Sequence, residues 1–256
     1  MIPCMSVSDR YWRQWFAALS DTPGIRDVEL SADLLESEPA VVEAVEQHGF
    51  HIHAVRDLLP ASIARYLADT SPPVRDAVTE RAAAVLRQCD GLGANAVMLD
   101  LGIGSIRKDQ IDEQMRQRSR LLTHLVASTE DSTLTLSLPV RYPRPYPGSR
   151  EWEYTANLVH DVMHPRCRLA LNIFPAEEDF QLERLMRSIY FRTCLIRFHY
   201  EPAAGESVED WFSQDWHNAL ERHGIHGPLV FCPRLRSEDA IPEACRRVAR
   251  LAGQSV

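Results

Sequence analysis

A chain of 256 residues, 45% hydrophobic and 25% charged, has the ordinary make-up of a folded domain and enough length to bury its own core. Lys and Arg total 28 against 36 Asp and Glu, a formal charge of -8 that works against wrapping a nucleic acid, where affinity comes from neutralising phosphates. No apolar run reaches the roughly 18–20 residues that span a bilayer, and residues 1–7 are too short for a signal sequence, so a cytoplasmic protein without membrane contact is expected. Cys4, Cys89, Cys167, Cys194, Cys232 and Cys245 form no CxxC pair and read as buried thiols, not as a disulfide framework or a zinc ribbon.

Short apolar or β-branched runs alternate with longer segments of helical period, and no linker-like stretch interrupts them, so residues 1–256 read as one domain. The first strand is expected at 2–7. Ser8 then offers an N-cap oxygen to a helix whose apolar face carries Tyr11, Trp12, Trp15, Phe16 and Leu19. A strand at 26–30 leads to a helix at 39–47, closed by Gly49 in the left-handed conformation, and a third strand at 50–55. Beyond Pro72-Pro73, residues 74–92 repeat apolar positions at Val78, Ala82, Val85, Leu86 and Cys89 before a strand at 94–101. The second half continues with helix 109–128, strand 133–140, helix 151–163, strand 168–174 and helix 179–189. Strand 195–200, helix 208–223, strand 228–232 and helix 238–251 complete it. Eight strand–helix units over about 250 residues match the α/β class and a closed (β/α)₈ TIM barrel. The alternative, an open doubly wound sheet, usually has a Gly-rich turn after its first strand, which Val7-Ser8-Asp9-Arg10 lacks.

On a barrel, chemistry is sought at the C-terminal ends of the strands. The polar residues there are Ser6, Ser8, Glu29, Ser31, Arg56, Asp57, Asp100, Ser137, Arg141, Asn172, Arg197, His199, Glu201, Cys232 and Arg234. Alternation along a strand sends half of such residues away from the barrel interior, where they take no part in a site.

Val28-Glu29-Leu30, Leu92-Gly93-Ala94, Leu99-Asp100-Leu101-Gly102, His199 followed by Gly205-Glu206-Ser207, and Ala219-Leu220 through Gly224 to Gly227-Pro228-Leu229 form a set of phrases. Together they resemble the xylose isomerase-like TIM barrels, the superfamily of sugar phosphate isomerases and epimerases that also holds AP endonuclease family 2 (endonuclease IV). The resemblance implies a divalent metal (Mn, Mg or Zn) held by Glu, Asp, His and Glu from strands five to eight, with carboxylates moving a proton between carbons. Carried over by position, these ligands fall on Ser137, Asn172, His199 and Cys232, and Pro175 stands where many members have a further histidine. Only the histidine is kept, and no neighbouring window on those strands contains a carboxylate. The expectation is therefore a degenerate metal site with no metal ligands and no cofactor, a divalent ion returning only if that reading fails.

Three functions compete. A diverged barrel binds or transforms a small polar sugar-like metabolite without metal, using His199 with Glu29, Asp100 or Cys232 as catalytic groups. Arg56, Ser137, Arg141, Asn172 and Arg197 then contact the ligand, guanidinium groups suiting carboxylate or phosphate. The second reading is an active metal-dependent sugar isomerase or epimerase, and the third an endonuclease IV-like repair enzyme, whose multi-histidine zinc set has no match here. Cys4, Cys232 and His199 could share a zinc ion, or Cys232 and His199 form a nucleophile pair, but small thiols filling a barrel interior is the simpler account. The loop carrying Tyr142, Tyr146 and Trp152 around Pro143, Pro145 and Pro147 suits a sugar face, Arg144 joins the rim arginines, and the stripe Trp211, Phe212, Trp216 and Leu220 suits pairing of two copies into a homodimer. His51 and His53 alternate on strand three and share one side of it.

Overall fold

The computed structural model describes residues 3–60, 63, 66, 71–102, 108–143, 149–175, 192–201 and 229–253. Eight parallel strands close on themselves in chain order: β1 (Pro3–Ser6), β2 (Asp27–Ser31), β3 (His51–Arg56), β4 (Ala96–Met98), β5 (Thr135–Tyr142), β6 (Cys167–Ile173), β7 (Thr193–Tyr200) and β8 (Leu229–Pro233). The helices among the described residues are α1 (Trp12–Ser20), α2 (Ala32–Ser37), α3 (Ala40–Gln47), α4 (Pro72–Gly91), α5 (Ile111–Ala127), α6 (Glu151–Val162) and α7 (Ile241–Gly253). The architecture is the expected single (β/α)₈ TIM barrel. The helices expected at 179–189 and 208–223 lie outside the described residues, as do Arg144, Tyr146 and the apolar stripe read as a pairing surface. No helix among the described residues is long and apolar enough to cross a membrane.

Local chemistry explains the boundaries. Ser31 closes β2 and caps α2, its Oγ accepting the Leu34 N–H at 3.0 Å. Gly49 ends the turn after α3 at φ 66°, in the left-handed region that a side chain disfavours. β4 stops at Met98, short of the expected 94–101; Leu99 still donates to the Ser137 carbonyl at 2.9 Å, and Asp100 then accepts the Gly102 N–H at 2.7 Å in a local turn.

The strands face two cores. Their outward side chains, with Trp15, Phe16 and Leu19 of α1 and the inner faces of the other helices, form the larger one. Inside the barrel lies a smaller cluster of Cys4, Ala54, Ala96, Met98, Ala170, Leu195, Val230 and Cys232. The thiols of Cys4 and Cys232 thus fill barrel volume, and all six cysteines are free. Above that layer, toward the C-terminal ends, the interior turns polar.

Candidate binding site at the barrel mouth

Arg197 on β7 reaches across the barrel to Glu29 on β2. Its Nε lies 2.8 Å from Oε1, and its Nη2 donates to Oε2 at 2.9 Å. Ser6, the register partner of Glu29 on β1, donates to the same Oε2 at 2.6 Å. Glu29 is fully buried and Arg197 nearly so. Burial alone would raise the Glu29 carboxyl, but the charge of Arg197, helped by Arg56, overrides it and holds the group below its ordinary range. Two strands separated in the ring by β1 and β8 are therefore tied by a two-pronged ion pair.

The network continues through Asn172 on β6. Arg197 Nη1 donates to Asn172 Oδ1 at 2.6 Å, and His199 Nε2 stands 2.9 Å from that same oxygen. Since a guanidinium only donates, the shared atom is an acceptor and His199 Nε2 carries the hydrogen, leaving Nδ1 with the lone pair in the neutral ring. Burial, then the positive charges of Arg197, Arg234 and Arg141, pull the His199 pKa down to about 3, against the opposing pull of Glu29. His199 is neutral at physiological pH.

Phe174, immediately beyond β6, supplies a platform. Its ring stacks on His199 with centroids 4.5 Å apart and planes 10° from parallel. The Arg141 guanidinium lies 3.7 Å from the Phe174 centroid, and that of Arg234 lies 5.7 Å away. Arg141, Asn172, Arg197 and His199 are thus brought together, with an aromatic face beside the two cations Arg141 and Arg234.

The other expected site residues lie differently. Ser137 is corrected in level: it pairs with Met98 and Arg168, while the β5 residue beside Asn172 is Arg141, four positions further on. Ser137 is fully buried and donates to the Val97 carbonyl at 3.0 Å, so its hydroxyl secures the sheet below the mouth. Arg56 is turned toward the loop after β1, donating to Asp9 Oδ1 at 2.6 Å and to the Val7 carbonyl at 3.3 Å. Asp100 is exposed at the rim and holds the turn after β4. Cys232 is buried at the end of β8, and burial pushes its thiol up to about 12, so it is a thiol and not a thiolate.

Two further carboxylates belong to the rim. Asp57 follows Arg56 in the left-handed backbone region at φ 55°, its side chain about half exposed and its Oδ2 3.6 Å from Arg56 Nε. Glu151, opening α6, is raised by burial and by Asp100, with Arg141 acting the other way. A helical period marks Glu151 only as an N-terminal acid, so its approach to Arg141 leaves no trace in the sequence. Phe174 had a readable signal: it stands two residues beyond Asn172, in phase with the inward face of β6.

No protein family and no curated protein matches the sequence. Solved structures do. D-psicose 3-epimerase from Clostridium cellulolyticum H10 superposes with a TM-score of 0.70 at 14% identity, covering 100% of this chain and 98% of that one. 3-Keto-D-glucoside 4-epimerase from E. coli gives 0.67 at 13% identity, with both chains covered in full (100% and 100%). AP endonuclease, family 2 from Brucella melitensis gives 0.67 at 18% identity over 93% of this chain and 96% of that one. At these identities the likeness speaks for the backbone and not for the reaction. The chain shares the (β/α)₈ barrel fold of these structures.

Proposed function

We propose that the chain is a metal-independent barrel of the sugar isomerase and epimerase type that binds a small, polar, sugar-like metabolite at its mouth. Arg141, Asn172, Arg197 and His199 are its contacts in this reading, and an acidic group on the ligand, carboxylate or phosphate, is what the guanidinium groups select. The observation that carries the reading is the position of Arg197. Its guanidinium occupies Asn172 Oδ1, the atom that His199 also uses. A divalent ion at the ends of β5 to β8 would find an amide oxygen already taken, an imidazole hydrogen aimed at that oxygen, a protonated thiol and positive charge on both sides. That donor set does not fit a hard cation, which needs carboxylate oxygens.

The protonation states favour binding over turnover. A base with a pKa of about 3 is far too weak to take a proton at neutral pH, and Glu29 is neutralised by its ion pair. One observation favours a second reading, metal-free proton transfer: Glu151 is a rim carboxylate that burial pushes upward, as a general acid or base requires. The repair-enzyme reading gains nothing from the mouth, where no histidine cluster accompanies His199 among the described residues.

Calorimetry and saturation-transfer NMR with ketohexoses, sugar phosphates and sugar acids test the proposal. A ligand of this class should bind equally with and without EDTA, and Arg141→Gln should weaken it at least about tenfold. Binding or turnover that disappears on chelation and returns with Mn²⁺ or Mg²⁺ would overturn the metal-independent reading.

A further inference from the structure

We infer that the opposite, N-terminal end of the barrel carries a separate binding site for a borderline divalent transition ion such as Zn²⁺, formed by Asp27 of β2 with His51 and His53 of β3. One ligand atom from each of the three lies within 4.8 Å of the others. His51 Nδ1 is 3.1 Å from Asp27 Oδ1. Neighbouring ligands on a tetrahedral zinc ion, with bonds of about 2.0–2.1 Å, stand about 3.3 Å apart, so this pair already has the right spacing. Two imidazoles and a carboxylate, with a position left for water, are a familiar zinc donor set.

The backbone explains the convergence. Asp27 and His51 are direct register partners, each opening its strand. Between them and the mouth the pairing jumps from Val28↔Ile52 to Glu29↔Ala54, leaving His53 as the extra residue of a β-bulge. The bulge lets His53 join His51 while Ala54 keeps its place inside the barrel. His53 is buried, and its Nδ1 lies 3.0 Å from the Asn95 side-chain amide. The amide nitrogen only donates, so it holds the ring through the Nδ1 lone pair; ligation through Nε2 requires the Asn95 amide to turn its oxygen toward Nδ1–H, the arrangement by which outer partners prepare a metal ligand. The His51–Asp27 contact alone would be an exposed ion pair; the tethered third group converging on it is what that account leaves unexplained. On this fold the N-terminal face serves stability, so the ion would clamp β2 to β3 and take no part in chemistry at the mouth.

The full chain, stripped of metal by chelation and dialysis, is titrated with Co²⁺ and followed by its visible d–d absorption, then competed with Zn²⁺. One Co²⁺ per chain, displaced by Zn²⁺, is expected. His51→Ala, which alters a half-exposed ring and leaves the core untouched, should weaken binding at least a hundredfold, and Asn95→Ala about tenfold. His199→Ala should leave the titration unchanged, because that residue lies at the other end. Circular dichroism of each variant verifies folding. No Co²⁺ spectrum in the wild-type chain, equal affinity in His51→Ala, or loss confined to His199→Ala would each overturn the assignment.

Discussion

Removing Arg197 tests the organisation of the mouth most directly. Glu29 has no exposed surface and the Arg197 side chain only 8%, so neither charge can turn to water when its partner is lost. Breaking a buried pair from one side strands the other charge and costs about 3–5 kcal/mol, whereas removing both members together is far less damaging. Arg197→Met should therefore lose about 3–5 kcal/mol, Glu29→Gln a similar amount, and the double variant no more than the worse single one. The coupling between the two positions comes out at about 3 kcal/mol or more. At about 2–4 °C per kcal/mol for a chain of this length, Arg197→Met should melt roughly 6–20 °C lower. Urea unfolding followed by fluorescence of the buried Trp12 and Trp15, and in parallel by circular dichroism, supplies the energies. Additive single effects, or an Arg197→Met loss below about 1 kcal/mol, would refute the view that this pair is a dry, mutually dependent unit.

Acid should weaken the fold through its neutral histidines. His199 stays unprotonated in the folded chain down to about 3 but takes a proton near 6.5 when unfolded, so stability holds above that value and falls as pH drops. One such ring accounts for about 2 kcal/mol between about pH 7 and 5. His53, also lowered by burial, acts in the same direction, so His199→Gln should remove only part of the slope in urea midpoints; an unchanged slope would place His199 in water. Phe174→Leu should take the stacking surface from His199 and Arg141, move the His199 titration upward by NMR and weaken ligand binding about tenfold; an unmoved titration would deny the stack its role. Iodoacetamide should modify Cys232 in the native chain at least about tenfold more slowly than in urea, and rapid native labelling followed by peptide mapping would restore a reactive thiolate. Arg118, buried in α5, donates to the Leu101 carbonyl at 3.1 and 2.9 Å, so Arg118→Ala should cost about 1–3 kcal/mol in the same urea assay, and a neutral result would mean that water replaces it.

Much of the barrel was legible because both faces of its strands are covered. β5 and β6 read as apolar runs, and helices such as α4 show their buried positions at the expected spacing. The failures are matters of phase and reach. Ser137 was placed at the mouth because a phrase of leucines ended on it, but level in a barrel is set by strand register and stagger, which only pairing with Met98 and Arg168 fixes. Cys232 fills barrel volume as the simpler reading of the sequence had it, and its place among the catalytic candidates fails because a sequence does not state solvation. The Glu29–Arg197 pair spans 168 residues of chain, and nothing near either residue announces the other. His51 and His53 were seen to share a side of β3, yet the bulge that gathers them with Asp27 is a property of two strands together.

The cross-barrel pair also restricts how this chain can drift. With Glu29 sealed off and Arg197 its counter-charge, whichever is exchanged first leaves a poorly folded descendant. Lineages carrying the couple must alter the two codons nearly at once or keep them both. Their joint survival or joint loss across relatives would therefore record history as much as present use, and the surrounding loops become the freer ground on which new specificities arise.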